Sequence, residues 1–173
     1  MLTYYRYRRG TYQERPFLLT GKGDGPQNKP PMQVRYALFS DYALVTADNK
    51  VCIIGIFDTI RAPALPHQHP LMFITVGILA EYGEDRQCRL EVLLWDPDGQ
   101  PLFTRQVDVT FRPPEDVGGV ATHNEMMGIG GALFQQAGPH GLIVRINGQQ
   151  VQRVNLMVTQ VAPIPSEGAP PSP

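Results

Sequence analysis

The stretch GPHGLIVRINGQQVQRVNLMV, residues 138–158, carries the clearest signal of the fold. Apolar and polar residues alternate on both sides of Asn147-Gly148, and a period of two is typical of a strand with one buried face. Asn-Gly favours a type I′ turn, because both central positions of that turn need a positive φ. The stretch therefore predicts a β-hairpin.

The same period of two continues through the upstream sequence. Turn-forming sequences separate the apolar runs at Ala47–Lys50 and Asp96–Gly99. Two runs, Val51–Phe57 and Leu71–Ala80, are almost continuously apolar, which is typical of central strands covered on both faces. About eight short strands without a sustained helical period predict an all-β domain. We expect an antiparallel β-sandwich of C2-like or immunoglobulin-like type, or an open barrel, with at most one short helical turn near Asp58–Arg61.

The two ends of the chain differ in composition from the middle. Residues 1–31 contain six lysines and arginines against two acidic residues, and they finish in the linker-like sequence Gly21–Pro31. Either residues 1–31 form a basic, flexible arm, or Met32 is the natural start of the protein. Residues 32–162 are expected to form the sandwich. The proline-rich tail, residues 163–173, is expected to be disordered.

Charge and composition limit the classes of partner and the compartment. The net charge of −1 gives no long-range attraction to nucleic acid or to an anionic membrane. No apolar stretch reaches the roughly 18 residues of a membrane helix, and no apolar run follows the N-terminal arginines. Cys52 and Cys88 are too few for a disulfide framework and lack zinc-site spacing. We therefore expect a cytoplasmic protein without membrane insertion. Its two thiols are expected to be free and buried, either close together or apart.

Histidines supply the candidate metal ligands. His67 and His69 are two residues apart, so on a strand both rings would point the same way and could share a zinc ion. His123 is the third candidate ligand, with Glu125 and His140 as alternatives to it. Prolines flank the first pair, however, and favour a loop there.

Three aspartates are the other candidate ligands in the core of the sequence. Asp96 and Asp98, followed by Gly99, resemble the oxygen-rich loops that bind calcium. Turn chemistry explains the same residues without an ion. Asp58 follows an apolar strand and is placed to cap a short helical turn. We expect no cofactor, with zinc and calcium as the alternatives.

The N-terminal sequence interleaves tyrosines with Arg6, Arg8 and Arg9. This combination can stack on bases and neutralise phosphates, or bind an acidic protein surface. The rest of the chain is acidic, which opposes sustained contact with nucleic acid.

From Met32 onward the chain resembles an uncharacterised bacterial family, a domain of unknown function. The resemblance rests on SDYALVT followed by GIFDTI, on His69-Pro70 before a long apolar strand, and on the closing hairpin. It covers roughly residues 32–160 and implies a sandwich that starts near Met32, but no activity. The family tends to place an aromatic residue where His140 stands, which implies that His140 is a packing or strand-corner residue.

These observations favour a binding or assembly module without catalytic duty. Its partner is expected to be another protein or a second copy of the chain, contacted through sheet edges and through the loops Ala62–Pro70 and Arg112–Asn124. The first alternative is a metal-dependent binding protein or hydrolase that uses His67, His69 and His123. The second alternative is a nucleic-acid binder that acts through the N-terminal arm.

Overall fold

A computed structural model describes residues 32–47, 50–81, 87–111 and 120–161. These residues form nine strands and no helix. The strands are β1 (Met32–Val45), β2 (Val51–Phe57), β3 (Thr59–Ala62), β4 (His67–Glu81), β5 (Gln87–Trp95), β6 (Pro101–Thr110), β7 (Val120–Phe134), β8 (Gly138–Ile146) and β9 (Gln149–Gln160). None of the described segments forms a membrane-crossing helix.

The strands build two sheets that share one core. The four-stranded sheet has the order β2-β1-β4-β7, and the five-stranded sheet has the order β3-β9-β8-β5-β6. Neighbouring strands are antiparallel except for β3 and β9, which pair in parallel. The expected all-β sandwich is confirmed. The predicted arm, residues 1–31, and the predicted tail, residues 163–173, lie outside the described residues.

The short helical turn expected near Asp58–Arg61 is wrong, because this segment is strand β3. The amide of Met157 donates a hydrogen bond to the carbonyl of Asp58 at 2.8 Å, and the Ile60–Val158 pair continues the ladder. Pairing with β9 gives these residues backbone partners that a helical turn would not supply. The chain thereby passes from the four-stranded sheet at β2 to the five-stranded sheet at β3.

Both segments expected to be contact loops overlap strands in the described residues. The β4–β7 ladder runs without interruption of register from His67–Phe134 at one end to Glu81–Val120 at the other. The end of the loop expected at Ala62–Pro70 therefore belongs to β4, and the end of Arg112–Asn124 belongs to β7. Residues 112–119 lie outside the described residues.

The hairpin turns follow the local chemistry of the sequence. Asn147 and Gly148 have φ values of 52° and 80°, as a type I′ turn requires. The side-chain oxygen of Asn147 also accepts a hydrogen bond from the Arg89 amide at 2.8 Å, and its own amide donates to the Arg89 carbonyl at 2.9 Å. The turn therefore connects β8 to β9 and is also hydrogen-bonded to β5.

The core lies between the two sheets and receives side chains from both. Alternate residues of β4, β5, β8 and β9 are fully buried, and burying each such aliphatic side chain contributes about 1.5–3 kcal/mol. The largest apolar side chains with almost no exposure are Phe39, Phe134, Met32, Met72, Ile74, Ile78, Leu90, Leu94, Leu142 and Leu156.

His140 is part of this core, which confirms its expected role as a packing residue. Its ring meets the Phe134 ring edge-on with centroids 5.1 Å apart. Its Nδ1 lies 3.1 Å from the Gly138 carbonyl oxygen, while its buried Nε2 has no hydrogen-bond partner in the described part of the chain. Burial lowers the pKa of His140, and the Gly138 carbonyl and the charge of Asp96 offset this only in part.

The buried imidazole makes the stability of the domain depend on pH. The folded state keeps His140 neutral, whereas the unfolded chain takes up a proton near the ordinary histidine pKa of about 6.5. The free energy of unfolding therefore has its full value above about pH 6.5. It decreases as the pH is lowered further, by at most about 1.4 kcal/mol per pH unit for one proton. Urea unfolding at pH 7.5 and pH 5.5 should show a smaller decline for His140→Phe than for the wild-type protein. An equal decline in both proteins would assign the effect to other groups.

Candidate functional site

The four-stranded sheet turns a large apolar surface away from the core, here called the outer face. Directly paired residues of antiparallel strands lie on the same side of a sheet, so the register identifies the members of this face. The members named below carry no charge, but Arg35 and Lys50 line a cavity beside Tyr36, and Glu81 continues the register beyond Leu79. The members are Tyr36, Leu38, Ser40, Tyr42 and Leu44 of β1, Cys52, Ile54 and Ile56 of β2, Leu71, Phe73, Thr75, Gly77 and Leu79 of β4, and Thr122, Asn124, Met126, Gly128 and Gly130 of β7.

Several large apolar side chains of the outer face are open to solvent. The exposed fraction is 64% for Ile56, 55% for Ile54, 46% for Tyr42 and 45% for Leu71. Single exposed apolar residues are normal on a protein surface, but a contiguous group on one face indicates an interaction site.

Aromatic rings on the outer face are held against glycines. A Cβ atom at Gly77 would lie 2.6 Å from the Tyr36 ring, and one at Gly128 would lie 3.3 Å from the Phe73 ring. The Tyr36 hydroxyl donates a hydrogen bond to the side-chain oxygen of Asn124 at 2.6 Å, and burial raises its pKa. The outer face is therefore packed in advance rather than formed by loose side chains.

Two of the hydroxyls on this face, those of Ser40 and Thr75, are covered by their neighbours. Ser40 and Thr75 have no exposed surface, and neither hydroxyl has a hydrogen-bond partner in the described residues. Buried hydroxyls without partners are uncommon in proteins. Because they are hidden, they do not interrupt the apolar surface that a partner would meet.

Strand β2 forms one edge of the outer face. The sequence suggested a central strand at Val51–Phe57, but among the described strands β2 pairs only with β1, and it carries exposed Ile54 and Ile56. Gly55 lies between these two residues with a φ of 67°, and a Cβ atom there would collide with the carboxylate of Asp41. The glycine therefore permits both the backbone conformation and the position of Asp41.

Replacing Gly55 with alanine should destabilise the domain by about 2–4 kcal/mol, since left-handed strain and a steric clash add together. Gly99→Ala is the matched control, because Gly99 has a φ of 78° but no atom within 4 Å of the added Cβ. Urea unfolding should show a loss of about 1–2 kcal/mol for the control. Equal losses of stability in the two variants would mean that the contact with Asp41 contributes nothing to the destabilisation caused by Gly55→Ala.

A second candidate region is a cavity of about 360 Å³ beside the edge where β2 continues into β3, here called the inter-sheet cavity. The rings of His67 and His69 both line it, with centroids 6.1 Å apart, and the His69 ring is 5.9 Å from that of Phe57. Burial and, to a smaller extent, the charge of His67 lower the pKa of His69, although Asp41 and the Leu71 backbone act in the opposite direction. The lining is completed by Asp41, Gly55, Ile56, Thr59, Ile60 and Arg61.

A local irregularity explains why these histidines face inward. Before Gly131, the core-facing residues of β7 are Met127 and Ile129, whereas after it the core contains Phe134. The positive φ of Gly131, 67°, lets the strand turn over at this point. On the neighbouring strand β4, the alternation of side chains between the two sides of the sheet also changes opposite Gly131. As a result, Leu71 is exposed on the outer face while His69 lines the inter-sheet cavity.

His123 lies far from the other two histidines. It pairs with Ile78, nine residues along β4 from His69, which corresponds to about 30 Å. Its Nε2 lies 3.2 Å from a carboxylate oxygen of Glu125. The structure does not bring the proposed three-histidine site together, and no group of three or more metal-ligating side chains is found among the described residues.

Comparison with known proteins gives one decisive match. A family model described as a family of unknown function, DUF6941, matches residues 35–159. The chain belongs to the DUF6941 family. This confirms the resemblance stated from the sequence.

Comparisons with solved structures and with curated proteins add no assignment for this DUF6941 domain. Among solved structures, it is similar to an immunoglobulin-like protein from Pseudomonas aeruginosa, with 13% identity and a TM-score of 0.32 over 74% of this chain and 96% of that chain. No curated protein matches it.

The remaining acidic candidates of the DUF6941 domain have local partners. Asp96 accepts a hydrogen bond from the Gln100 amide at 2.7 Å, and Asp98 accepts one from the Gln136 side chain at 2.7 Å. Asp58 accepts one from the Thr59 hydroxyl at 2.9 Å. These bonds fit turn and strand-end roles. Arg6, Arg8 and Arg9 lie outside the described residues, so a nucleic-acid site in the arm stays a prediction.

The two cysteines of the DUF6941 domain are in different environments. Both are free, but Cys52 is exposed whereas Cys88 is buried. The expectation that both are buried is therefore wrong for Cys52, because β2 is an edge strand with an uncovered outer side. Cys52 belongs to the four-stranded sheet and Cys88 to the five-stranded sheet.

Proposed function

We propose that this DUF6941 domain is a non-catalytic assembly module, and that its outer face is covered by the same face of a second copy. The observation that carries the proposal is the contiguous apolar part of the outer face with exposed Tyr42, Ile54, Ile56 and Leu71. Removing such surface from water is the main driving force of protein association.

The size of the outer face suits a dimer. Four strands about 4.8 Å apart and the length of β4 from Leu71 to Leu79 give an area of about 500 Å² per copy. Two copies would then bury about 1,000 Å² in total, which reaches the lower limit for a specific interface. Stacking of two sheets at about 10 Å is also the ordinary way in which β-sheets cover each other.

The charge distribution favours a second copy over a charged partner. A two-fold interface places the same surface on both subunits, so any net charge on it would repel itself. The part of the outer face around Tyr42, Ile54 and Leu71 has no charged member, so two copies of it would meet without electrostatic repulsion. A charged partner would find no complementary group on this part of the face.

The free thiols support a reducing compartment for this assembly. Cys52 is an exposed thiol on the outer face, and unpaired exposed cysteines are typical of proteins kept in the cytosol. We therefore propose a cytoplasmic location.

Sedimentation equilibrium of the full chain tests the proposal. We expect a reversible monomer–dimer equilibrium that changes little between low and high salt, because apolar contact is not screened by ions. A monomer at every accessible concentration would contradict the proposal. Dimers that dissociate at high salt would indicate a charged surface elsewhere on the chain.

A further inference from the structure

The inter-sheet cavity contains opposite charges that the fold does not pair. Its polar side chains are Asp41, Arg61, His67 and His69, and its apolar surface includes Phe57 and Ile60. The ion pairs among the described residues are Arg89–Asp108, Arg145–Glu91 and His123–Glu125, so neither Asp41 nor Arg61 takes part in one. One carboxylate and one guanidinium thus line the same cavity without a charged partner.

The carboxylate of Asp41 lies directly against Gly55. Its side chain occupies the space that a Cβ atom at Gly55 would fill, and the left-handed backbone of Gly55 keeps that space open. The φ of Gly55 thus contributes to the shape of the cavity as well as to the strand.

The neighbouring His69 adds polar atoms without adding a fixed charge at neutral pH. Burial and the nearby His67 lower the pKa of His69, so its ring is neutral and can donate or accept a hydrogen bond. The ring also packs against Phe57, which gives the cavity an aromatic wall.

We propose that the inter-sheet cavity binds a small zwitterion that carries an ammonium group and a carboxylate on a short apolar skeleton. The ammonium group binds the Asp41 carboxylate, and the ligand carboxylate binds the planar guanidinium of Arg61, which suits two parallel hydrogen bonds. The apolar skeleton lies against Phe57 and Ile60. A volume of about 360 Å³ is within the usual range for small-molecule sites.

Binding measurements with matched probes test this site. Titration calorimetry of the full chain at pH 7.5 would use 6-aminohexanoate and L-leucine as zwitterions with different charge separations. Hexanoate and hexylammonium each lack one of the two charges of 6-aminohexanoate. We expect at least one zwitterion to bind, and each singly charged analogue to bind about tenfold or more weakly, since a charged hydrogen bond is lost. Failure of both zwitterions to bind, or equal binding of hexanoate or hexylammonium, would overturn the proposal.

Variants locate the binding site. Asp41→Asn and Arg61→Gln should each weaken binding of the zwitterion by about tenfold or more, because each removes one charge while keeping a similar shape. Arg105→Gln is the matched control, since Arg105 is an exposed arginine on β6 that does not line the cavity. Urea unfolding of each variant confirms that the domain is folded. Unchanged affinity in Asp41→Asn or Arg61→Gln would place the ligand elsewhere and overturn the assignment.

Discussion

Replacing Ile56 with lysine is expected to convert the dimer into a monomer, with a rise in the dissociation constant of about 100-fold or more. Ile56 is the most exposed large apolar side chain of the outer face, at 64%, and it lies on the edge strand β2. In the monomer a lysine there is fully hydrated, so the fold should tolerate it. In the dimer two ammonium groups would be removed from water at an apolar interface, which costs free energy. Sedimentation equilibrium measures the change directly.

Thr104→Lys is the matched control for this prediction. Thr104 is an exposed residue on β6 of the five-stranded sheet, where a new charge should leave the dimer intact. Urea unfolding should show that both variants keep a stability close to that of the wild-type monomer. A dimer that survives Ile56→Lys unchanged would mean that the outer face is not the interface.

The second large effect is expected in the core, where Phe134→Ala should cost about 3–5 kcal/mol of unfolding free energy. Phe134 has no exposed surface and packs edge-on against His140. Its loss would leave a cavity beside an imidazole nitrogen that already lacks a partner. Since small domains have a total stability of about 5–15 kcal/mol, this variant should be partly unfolded at mild urea concentrations.

The neighbouring residue provides the control for Phe134. Leu133 precedes it on β7 but is 46% exposed, so Leu133→Ala should change the stability by no more than about 0.5–1 kcal/mol. The urea midpoints of the two variants measure the loss of stability in each. Similar losses would contradict the change in strand alternation at Gly131, which places Phe134 in the core and Leu133 outside it.

Local chemistry explains which parts of the fold were predictable from the sequence. The turn at Asn147-Gly148 follows from the conformations that these two residues tolerate, and the period of two follows from the geometry of a strand. Both are properties of neighbouring residues. The burial of His140 was also predictable, because the family resemblance places an aromatic residue in that position of a core strand.

The outer face and the two histidine environments depend on pairing between distant residues. A nearly continuous apolar run such as Val51–Phe57 has the same pattern whether its second side is covered by the protein itself or left open for a partner. The sequence therefore suggested a central strand where β2 is an edge. Likewise, only the β4–β7 register separates His123 from His69, and no local pattern specifies that register. The glycines at 128, 130 and 131 indicate an irregularity in this strand, but they do not identify Gly131 as the position where the side chains change faces.

The most direct test of the outer-face dimer is a filtered nuclear Overhauser experiment on a mixed sample. One half of the protein carries ¹³C-labelled isoleucine and leucine methyl groups, and the other half is unlabelled, so only contacts between copies are detected. The outer-face interface predicts signals from the methyl groups of Ile54, Ile56 and Leu71 to aromatic protons of Tyr42 and Phe73 in the other copy. A dimer in which these methyl groups give no contacts between copies would contradict the account.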